Sequence, residues 1–265
     1  MLIVGELINA SRKAVGEAIS SHDAAVVRKL AADQVQAGAH FIDVNAGIFV
    51  EEEADHLKWL VTNVQEAVDC PCCIDSPSAE AIEAALTVHR GPAMINSISL
   101  EKDRYEALLP LVSGTDLNVV ALCMGDDGMP ETTEQRLKIA DKLINGLTRA
   151  NVPIQNIHVD PLVQPISVNN QFGLAFLEAV ESIKREFQGV HTICGLSNIS
   201  FGLPDRKLLN QAFAVMAIAR GLDGLIINPL DRRMVANIIS AEALAGRDEY
   251  CTKYLQAYRA KCFEL

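Results

Sequence analysis

Residues 192–206 read TICGLSNISFGLPDR, and they contain in one segment the pattern that the whole chain repeats. The apolar run Thr192-Ile193-Cys194 predicts a short buried strand, and helical spacing of apolar residues begins near Lys207. Polar residues, among them Ser197 and Asn198, crowd the point where the strand ends. In a parallel α/β protein this edge is where ligands bind. The segment therefore predicts a strand–loop–helix unit whose chemistry lies in the loop.

The same unit recurs along the chain at intervals of roughly 30 residues, with helical patterns between the strands. The predicted strands are Leu2–Asn9, Phe41–Asn45, Cys72–Ser76, Ala93–Ser97, Val119–Met124, Ile157–Pro161, Thr192–Cys194 and Gly224–Pro229. Eight such units predict an α/β fold, a single (β/α)8 TIM barrel that occupies residues 1–265 as one domain. A doubly wound open sheet fits less well, because no GxGxxG motif follows the first strand.

Composition and charge narrow the class of protein. The chain has 265 residues, 49% of them hydrophobic, so it can bury a large core. Its net charge of −11 argues against nucleic-acid and anionic membrane partners, because phosphates repel an acidic protein. We see no run of the about 20 apolar residues that spans a bilayer, and no basic region of a signal peptide. Together with seven cysteines, an odd number, this predicts a cytoplasmic protein.

Carboxylates and amides follow most of the predicted strands, and a barrel brings such residues together in one cup. A carboxylate can accept hydrogen bonds from an amino group and an adjacent ring N–H, and an amide can donate and accept at once. A single residue of this kind is equally well explained as a loop or helix cap. The complete set predicts a binding cup for a flat, nitrogen-rich heterocycle: Glu6, Asp43, Asn45, Asp75, Asn96, Asp160, Ser197, Asn198 and Asn228.

Cysteine and histidine spacing does not predict a metal site. The run Cys70-Pro71-Cys72-Cys73 lacks the second pair that a zinc site needs, and alternate residues of a strand point to opposite faces. The pair His191 and Cys194 is similarly isolated. We therefore interpret these cysteines as buried structural residues.

Six short motifs resemble, in their order and spacing, those of one enzyme family. They are Gly5-Glu6-Leu7-Ile8-Asn9, Asp43-Val44-Asn45-Ala46-Gly47, Ile74-Asp75-Ser76, Met94-Ile95-Asn96-Ser97, Val159-Asp160-Pro161-Leu162 and Gly195-Leu196-Ser197-Asn198-Ile199-Ser200. The family is that of the methyltetrahydrofolate:corrinoid protein methyltransferases, which is similar to the folate domain of cobalamin-dependent methionine synthase. The resemblance covers essentially the whole chain and implies a TIM barrel of the pterin-binding type.

The resemblance also assigns residues. It implies that Asp75, Asn96 and Asp160 anchor the pterin and that Asn198 hydrogen-bonds near N5 of the folate. On this basis Asn198 and Asp160 are the expected catalytic residues. The remaining expected substrate-binding residues are Gly195, Ser197, Arg206, Glu6, Asp43, Met124 and Ile226.

The implied reaction moves a methyl group, in either direction, between N5 of tetrahydrofolate and the cobalt of a corrinoid. Tetrahydrofolate or methyltetrahydrofolate is the expected substrate, and the corrinoid (cobalamin) belongs to a partner protein, so no metal is expected in this chain. The family further implies a homodimer. Because the methyl group must reach the partner's cobalt, we predict an open cup and a partner that docks on the loops after the fifth and sixth strands.

Two other functions remain open at this point. Dihydropteroate synthase shares the implied fold and the pterin, but it needs cations beside its seventh strand to bind a diphosphate leaving group. Its usual Ser-Arg-Lys is replaced here by Ser197-Asn198-Ile199, although Arg206 keeps one positive charge nearby. A non-catalytic module that binds a pterin or a corrinoid protein would keep most of the same residues, and only turnover separates it from an enzyme.

Overall fold

Eight parallel strands close into a barrel in the computed structural model of the chain, which describes residues 1–263. Each strand pairs with the next in sequence, and β8 pairs with β1 to complete the circle. The predicted (β/α)8 barrel is therefore confirmed. The strands are β1 (Leu2–Asn9), β2 (Phe41–Asn45), β3 (Cys72–Asp75), β4 (Met94–Leu100), β5 (Asn118–Gly125), β6 (Ile157–Asp160), β7 (His191–Gly195) and β8 (Gly224–Ile227).

Helices surround the barrel and connect its strands. In the described residues, two α-helices follow β1, two follow β8, and one α-helix joins each other pair of consecutive strands; short 3₁₀ segments lie at Ile154–Asn156, Leu196–Ser200 and Glu249–Cys251. The α-helices are α1 (Lys13–Ser20), α2 (Ala24–Gln36), α3 (Glu53–Ala67), α4 (Ala79–Leu86), α5 (Lys102–Val112), α6 (Thr133–Arg149), α7 (Phe172–Glu186), α8 (Arg206–Ala219), α9 (Arg232–Leu244) and α10 (Thr252–Arg259).

Some element ends differ from the predicted ones, for local reasons. Helical spacing of apolar residues predicts a helix from Ala79 to His89, but α4 ends at Leu86. There the Thr87 hydroxyl donates to the Ala84 carbonyl 2.6 Å away and tightens the last turn. β4 continues to Leu100 because β5 supplies pairing partners there. The longer β4 places Asn96 four residues before the end of its strand, at the point where the pairing with β5 becomes irregular.

Alternation along the strands divides the interior into two hydrophobic regions. Outward-facing side chains such as Ile42 and Val44 pack beneath the helices in the main core. Inward-facing side chains form a smaller cluster inside the barrel: Val4, Cys73, Met94, Val120, Ile193 and Ile226. This inner cluster fills the middle of the barrel, so the space above it at the carboxyl ends of the strands is a cup with an apolar floor.

Gly5 allows an irregularity in β1 that sets the direction of Glu6. The register between β1 and β2 shifts between Gly5 and Ile8. Gln34 of α2 is fully buried behind this point, and its Oε1 accepts a hydrogen bond from the Leu7 N–H at 3.0 Å. A Cβ at Gly5 would lie only 2.5 Å from the same oxygen, so a side chain at this position would displace Gln34.

Two further findings apply to residues 1–263. None of their helices combines the length and apolarity required to traverse a bilayer. Nor do these residues contain a group of three or more His, Cys, Asp or Glu side chains placed to hold a metal ion.

Candidate active site

A ring of polar side chains stands directly above the inner hydrophobic cluster. Most of its members lie two residues after a member of that cluster on the same strand. Because alternate residues of a strand face the same side, both side chains point into the barrel. Asp75 follows Cys73 in this way, Asn96 follows Met94, and Gly195 follows Ile193. Its polar members are Glu6, Asp43, Asp75, Asn96, Asp160 and Asn228, and the corresponding positions of β5 and β7 are occupied by Leu122 and Gly195.

Asp75 lies at the centre of one half of the ring. The pairing register places it beside Asn45 on β2 and beside Asn96 on β4. Nδ2 of Asn45 donates to Oδ2 of Asp75 at 2.9 Å, which fixes the carboxylate in the cup wall. Burial raises the pKa of Asp75, while the Asn45 hydrogen bond and the Arg104 charge lower it.

Asp43 lies deeper than Asp75 and contacts it electrostatically. Nδ2 of Asn96 is 3.5 Å from its Oδ1, and the Cys73 thiol forms a second hydrogen bond. Burial first, and then the neighbouring Asp75 charge, raise the pKa of Asp43 well above its ordinary range. The pair of carboxyl groups therefore favours a state in which Asp43 keeps its proton and Asp75 carries the charge.

Asp160 occupies the opposite half of the ring, at the end of β6. Its Oδ1 accepts a hydrogen bond from the Leu162 N–H at 2.8 Å, and the Gly195 N–H also donates to the carboxylate. Burial raises its pKa to about 7, although these hydrogen bonds and the Arg136 charge act in the other direction. Asp160 is thus held in place by backbone donors and is poised to change charge near neutrality.

Arg136 is a functional neighbour that the sequence did not single out. This residue of α6 is fully buried, and its guanidinium donates to the carbonyls of Pro161 at 2.9 Å, Thr132 at 3.1 Å and Leu162 at 3.4 Å. It thereby fixes the start of the loop that follows Asp160. Its signal in the sequence is an arginine inside the apolar stripe of α6.

Arg104 plays the same part beneath Asp75. From the first turn of α5 it donates to the carbonyls of Ser97 at 2.7 Å, Pro77 at 2.7 Å and Ser76 at 2.9 Å. Its positive charge lowers the pKa of Asp75. Arg104 therefore holds two carbonyls of the loop after β3 and one carbonyl of β4, and it stabilises the charge of Asp75.

Asn198 lies over the rim of the cup. It belongs to a single 3₁₀ turn, Leu196–Ser200, that continues directly from β7. A Cβ on Gly195 would lie 3.8 Å from Nδ2 of Asn198, so the carboxamide lies over the end of β7. Within residues 1–263 this carboxamide forms no hydrogen bond, and the residue is exposed. Its donor is therefore available to a ligand.

Arg206, at the start of α8, holds the turn that carries Asn198. Its Nε donates to Oγ of Ser200 at 3.0 Å, and its NH2 group donates to the Ser197 carbonyl at 2.6 Å. The guanidinium also lies 5.9 Å from the centre of the exposed Phe201 ring. The structure thus places Arg206 beside Ser197, and the Arg206 charge also acts on Glu6 in the cup wall, where it lowers the pKa of that carboxyl group.

The other predicted site residues occupy the wall and the floor. Glu6 lies in the wall, where burial raises its pKa and Arg12, 3.4 Å away, lowers it. Met124, the residue before the end of β5, is half-buried above Leu122 on the inward face. Ile226 belongs to the inner hydrophobic cluster and is 9% exposed, so it forms part of the floor.

Taken together, the cup combines several buried carboxyl groups with amides and an apolar floor. Carboxylates and amides in a confined site of low polarity form strong, directional hydrogen bonds with donors on a flat ring. The free carboxamide of Asn198 can add a donor from above. This arrangement fits recognition of a nitrogen heterocycle, with one reacting atom left near the mouth.

Comparison with known sequences agrees with this geometry. Residues 5–228 match the family described as "Pterin binding enzyme". The chain is 38% identical over 261 residues to the methylcorrinoid:tetrahydrofolate methyltransferase of Eubacterium limosum, with 98% of this chain and 96% of that protein covered. It is 30% identical over 241 residues to methionine synthase of Mycobacterium tuberculosis, of which it covers 20%.

Solved structures with the same fold include dihydropteroate synthases. That of Coxiella burnetii, in complex with pteroic acid, superposes with a TM-score of 0.74 at 16% identity and covers 92% of this chain and 93% of its own. That of Yersinia pestis, with a sulfonamide drug, gives 0.70 at 17% identity and 92% and 94% coverage. At such identities the likeness concerns the barrel alone. The family match over residues 5–228, with the similarity to the Eubacterium limosum protein along nearly the whole of both chains, shows that this chain belongs to the pterin-binding enzymes and, among them, to the methyltetrahydrofolate:corrinoid protein methyltransferase family.

Proposed function

We propose that this protein is a methyltransferase that moves a methyl group between N5 of tetrahydrofolate and the cobalt of a corrinoid protein. The observation that carries the proposal is the free carboxamide of Asn198 above a cup walled by Asp75, Asn96 and Asp160. The similarity to a methylcorrinoid:tetrahydrofolate methyltransferase over 98% of the chain supports it. We propose further that residues 1–265 act as one pterin-binding methyltransferase domain.

In this proposal, opposite walls of the cup hold the two edges of the pterin. Asp75 and Asp160 accept hydrogen bonds from its amino group and ring N–H groups, and Asn96 donates and accepts between them. Asn45 and the two loop-binding arginines keep these side chains in place. Because the anchors are held before the ligand arrives, little ordering is needed on binding.

Asn198 serves the chemical step at N5. A methyl group on a tertiary amine is a poor electrophile, because the departing nitrogen is too basic. Donating a hydrogen bond to N5 stabilises the charge that develops as the C–N bond breaks. The carboxamide has no acidic proton to transfer, so its part is electrostatic. The proton that N5 carries in tetrahydrofolate is therefore taken from solvent at the open mouth of the cup as the methyl group leaves, and is returned to solvent in the reverse direction. The methyl group is taken or given by the cobalt of the partner protein, so this chain needs no base to activate a nucleophile.

The partner has to approach the open mouth of the cup. Exposed apolar side chains mark its rim on three adjacent loops: Met129 after β5, Val168 after β6 and Phe201 after β7 are 61%, 76% and 64% exposed. Apolar groups left in water in this way are typical of protein docking sites. They support our proposal that a corrinoid protein docks on the loops after β5 and β6. We also propose that the protein forms a homodimer and is located in the cytoplasm.

The decisive experiment measures turnover. The purified protein is mixed anaerobically with methyltetrahydrofolate and Co(I) cobalamin, and methylcobalamin formation is followed by absorbance; methylcobalamin with tetrahydrofolate tests the reverse direction. Transfer in either direction is the expected result. Folate binding without transfer, even with the native corrinoid protein, would show that the protein is a non-catalytic pterin-binding module. Absence of folate binding would contradict both functions.

Folate binding should also depend on pH through Asp160. The pKa of its carboxyl group is raised to about 7 by burial, and only the ionised form accepts two hydrogen bonds from pterin donors. Binding should therefore strengthen as pH rises to about 7, with affinity falling by up to about tenfold per pH unit below that value. Calorimetry in buffers of different ionisation enthalpy should detect proton release. A flat profile, or the same profile in Asp160→Asn, would exclude Asp160 as the titrating group.

A further inference from the structure

The mouth of the barrel is electrically asymmetric. The loops after β2 and β5, residues 46–52 and 126–132, contain five acidic residues and no lysine or arginine. The loops after β7, β8 and β1, extended to the first turns of their helices, contain two acidic residues, Asp205 and Asp231. They carry six basic residues: Arg12, Lys13, Arg206, Lys207, Arg232 and Arg233. Since β7, β8 and β1 are neighbours, one sector of the rim is basic in a chain of net charge −11.

A groove runs through this basic sector and begins in the cup. Its inner part is a cavity of about 170 Å³ between the loops after β1, β7 and β8, and Glu6, Ser197 and Asn228 of the cup line it. Its outer part is an open depression of about 560 Å³ between the starts of α8 and α9. The two parts share Lys207 and Asp231, so the groove is continuous from the cup wall to the surface.

The cations of the groove are only weakly neutralised. Lys207 lies 3.9 Å from Asp231, and its side chain is 85% exposed. Asp231 is already engaged, because its Oδ1 caps α9 by accepting from the Met234 N–H at 3.2 Å and also accepts from Gln211. Arg233 has no carboxylate within ion-pair distance in residues 1–263. Four cations line the groove, and Arg12 is paired there with Glu6 at 3.4 Å. Like Arg233, Arg206 has no carboxylate within ion-pair distance in the described residues, so the charges of these two arginines remain available to a ligand.

We infer that this groove binds the carboxylates of the folate tail and that it favours folates with several γ-linked glutamates. This rests on the proposed function, because it takes the pterin to lie in the cup. The aminobenzoyl-glutamate tail must leave the cup through its mouth, and every added glutamate contributes one carboxylate. The basic sector is the side on which that negative charge is attracted, whereas the loops after β2 and β5 repel it.

The expected effect follows from the exposure of the groove. An ion pair at such a surface is worth at most about fivefold in affinity, so two additional carboxylates should strengthen binding by about tenfold. The advantage should shrink as salt is added, because exposed charges are screened over about 10 Å at 0.1 M ionic strength. Binding of the pterin itself, inside the cup, should respond far less to salt.

The test compares the mono- and triglutamate forms of methyltetrahydrofolate by calorimetry. The wild-type protein should bind the triglutamate about tenfold more tightly at low salt. Lys207→Glu should reduce this ratio to about one. Lys102→Glu is the matched control, because Lys102 starts α5 on the acidic side of the same barrel face and the charge change is identical. This control should keep the wild-type ratio.

The possible outcomes separate the inference from the function on which it rests. Equal binding of both forms by the wild-type protein, or an unchanged ratio in Lys207→Glu, would overturn the tail groove while leaving pterin binding intact. Failure to bind either form would count against the proposed function. Inorganic diphosphate serves as a second probe, because it also presents anionic oxygens. If diphosphate binds in the groove and the triglutamate folate does not displace it, the groove binds a phosphate compound and the inference is wrong.

Discussion

Replacing Asn198 with alanine should lower the rate of methyl transfer by about 10²–10³-fold while weakening folate binding only slightly. The carboxamide forms no hydrogen bond in residues 1–263, so removing it leaves no buried group without a partner. Charge at N5 develops only as the C–N bond breaks. A donor directed at N5 therefore contributes mainly to the transition state, and its loss appears in the rate rather than in the affinity.

Single-turnover rates and calorimetric folate titrations distinguish these two effects. Asn198→Asp tests the donor itself, since an ionised carboxylate keeps the shape but cannot donate, and it should be at least as slow as the alanine variant. Asn145→Ala is a suitable control: this exposed asparagine of α6 lies outside the proposed docking loops, and its Nδ2 donates to the Asp141 carbonyl at 2.9 Å. It should transfer normally. A loss of affinity equal to the loss of rate would contradict the transition-state role of Asn198.

Much of the fold follows from the sequence because each strand is short, apolar and followed by a polar residue. The period of two then determines which side chains enter the barrel, so Asp75 and Asn96 could be placed in one cup before any contact was known. The ends of the helices were harder to predict from the sequence. The fourth helix stops at Leu86 through a hydroxyl-to-carbonyl bond that apolar spacing cannot reveal.

The supporting residues could not be predicted, because they act over distances that the sequence does not encode. Arg136 reaches from α6 to the carbonyls behind Asp160, and Arg104 reaches from α5 to those behind Asp75. Arg104 looks in the sequence like an ordinary helical cation, and Arg136 differs only in lying within the apolar stripe of α6, which does not reveal its partners. Only the closure of the barrel brings each arginine against the loop of a neighbouring strand.

The residues that were assigned by resemblance alone have different surroundings in the structure. Asp160 is buried among backbone donors, and its assignment as a pterin anchor stays a prediction. Ile226 lies in the apolar floor with five other side chains, so any contact with a ligand is made by its exposed edge. Arg206 braces the turn of Asn198. Its assignment as a substrate-binding residue stays a prediction, and its visible contacts point to a positioning role.

The second large effect is expected at the anchors. Asp75→Ala and Asp160→Ala should each weaken folate binding by about 1–3 kcal/mol, the cost of a lost hydrogen bond to a charged group. Asp127→Ala removes a carboxylate from an exposed loop on the same face and should leave the titration unchanged. Because Asp75 and Asp160 lie in opposite halves of the ring, their losses should add within about 0.5 kcal/mol in the double variant.

Stability measurements show whether such a loss concerns binding or folding. Since burial raises the pKa of Asp160 from 3.8 to about 7, the folded protein binds more protons than the unfolded chain between these values. Wild-type stability without ligand should accordingly fall as pH rises through this window. Asp160→Asn, which has no charge to bury, should lose that part of the decline and be no less stable than wild type at pH about 8. We expect Asp160→Asn to bind folate more weakly and to keep its stability, because the carboxyl group then serves the ligand and not the fold. If thermal unfolding instead shows Asp160→Asn to be the less stable protein at that pH, while its folate affinity is unchanged, then Asp160 is a structural residue.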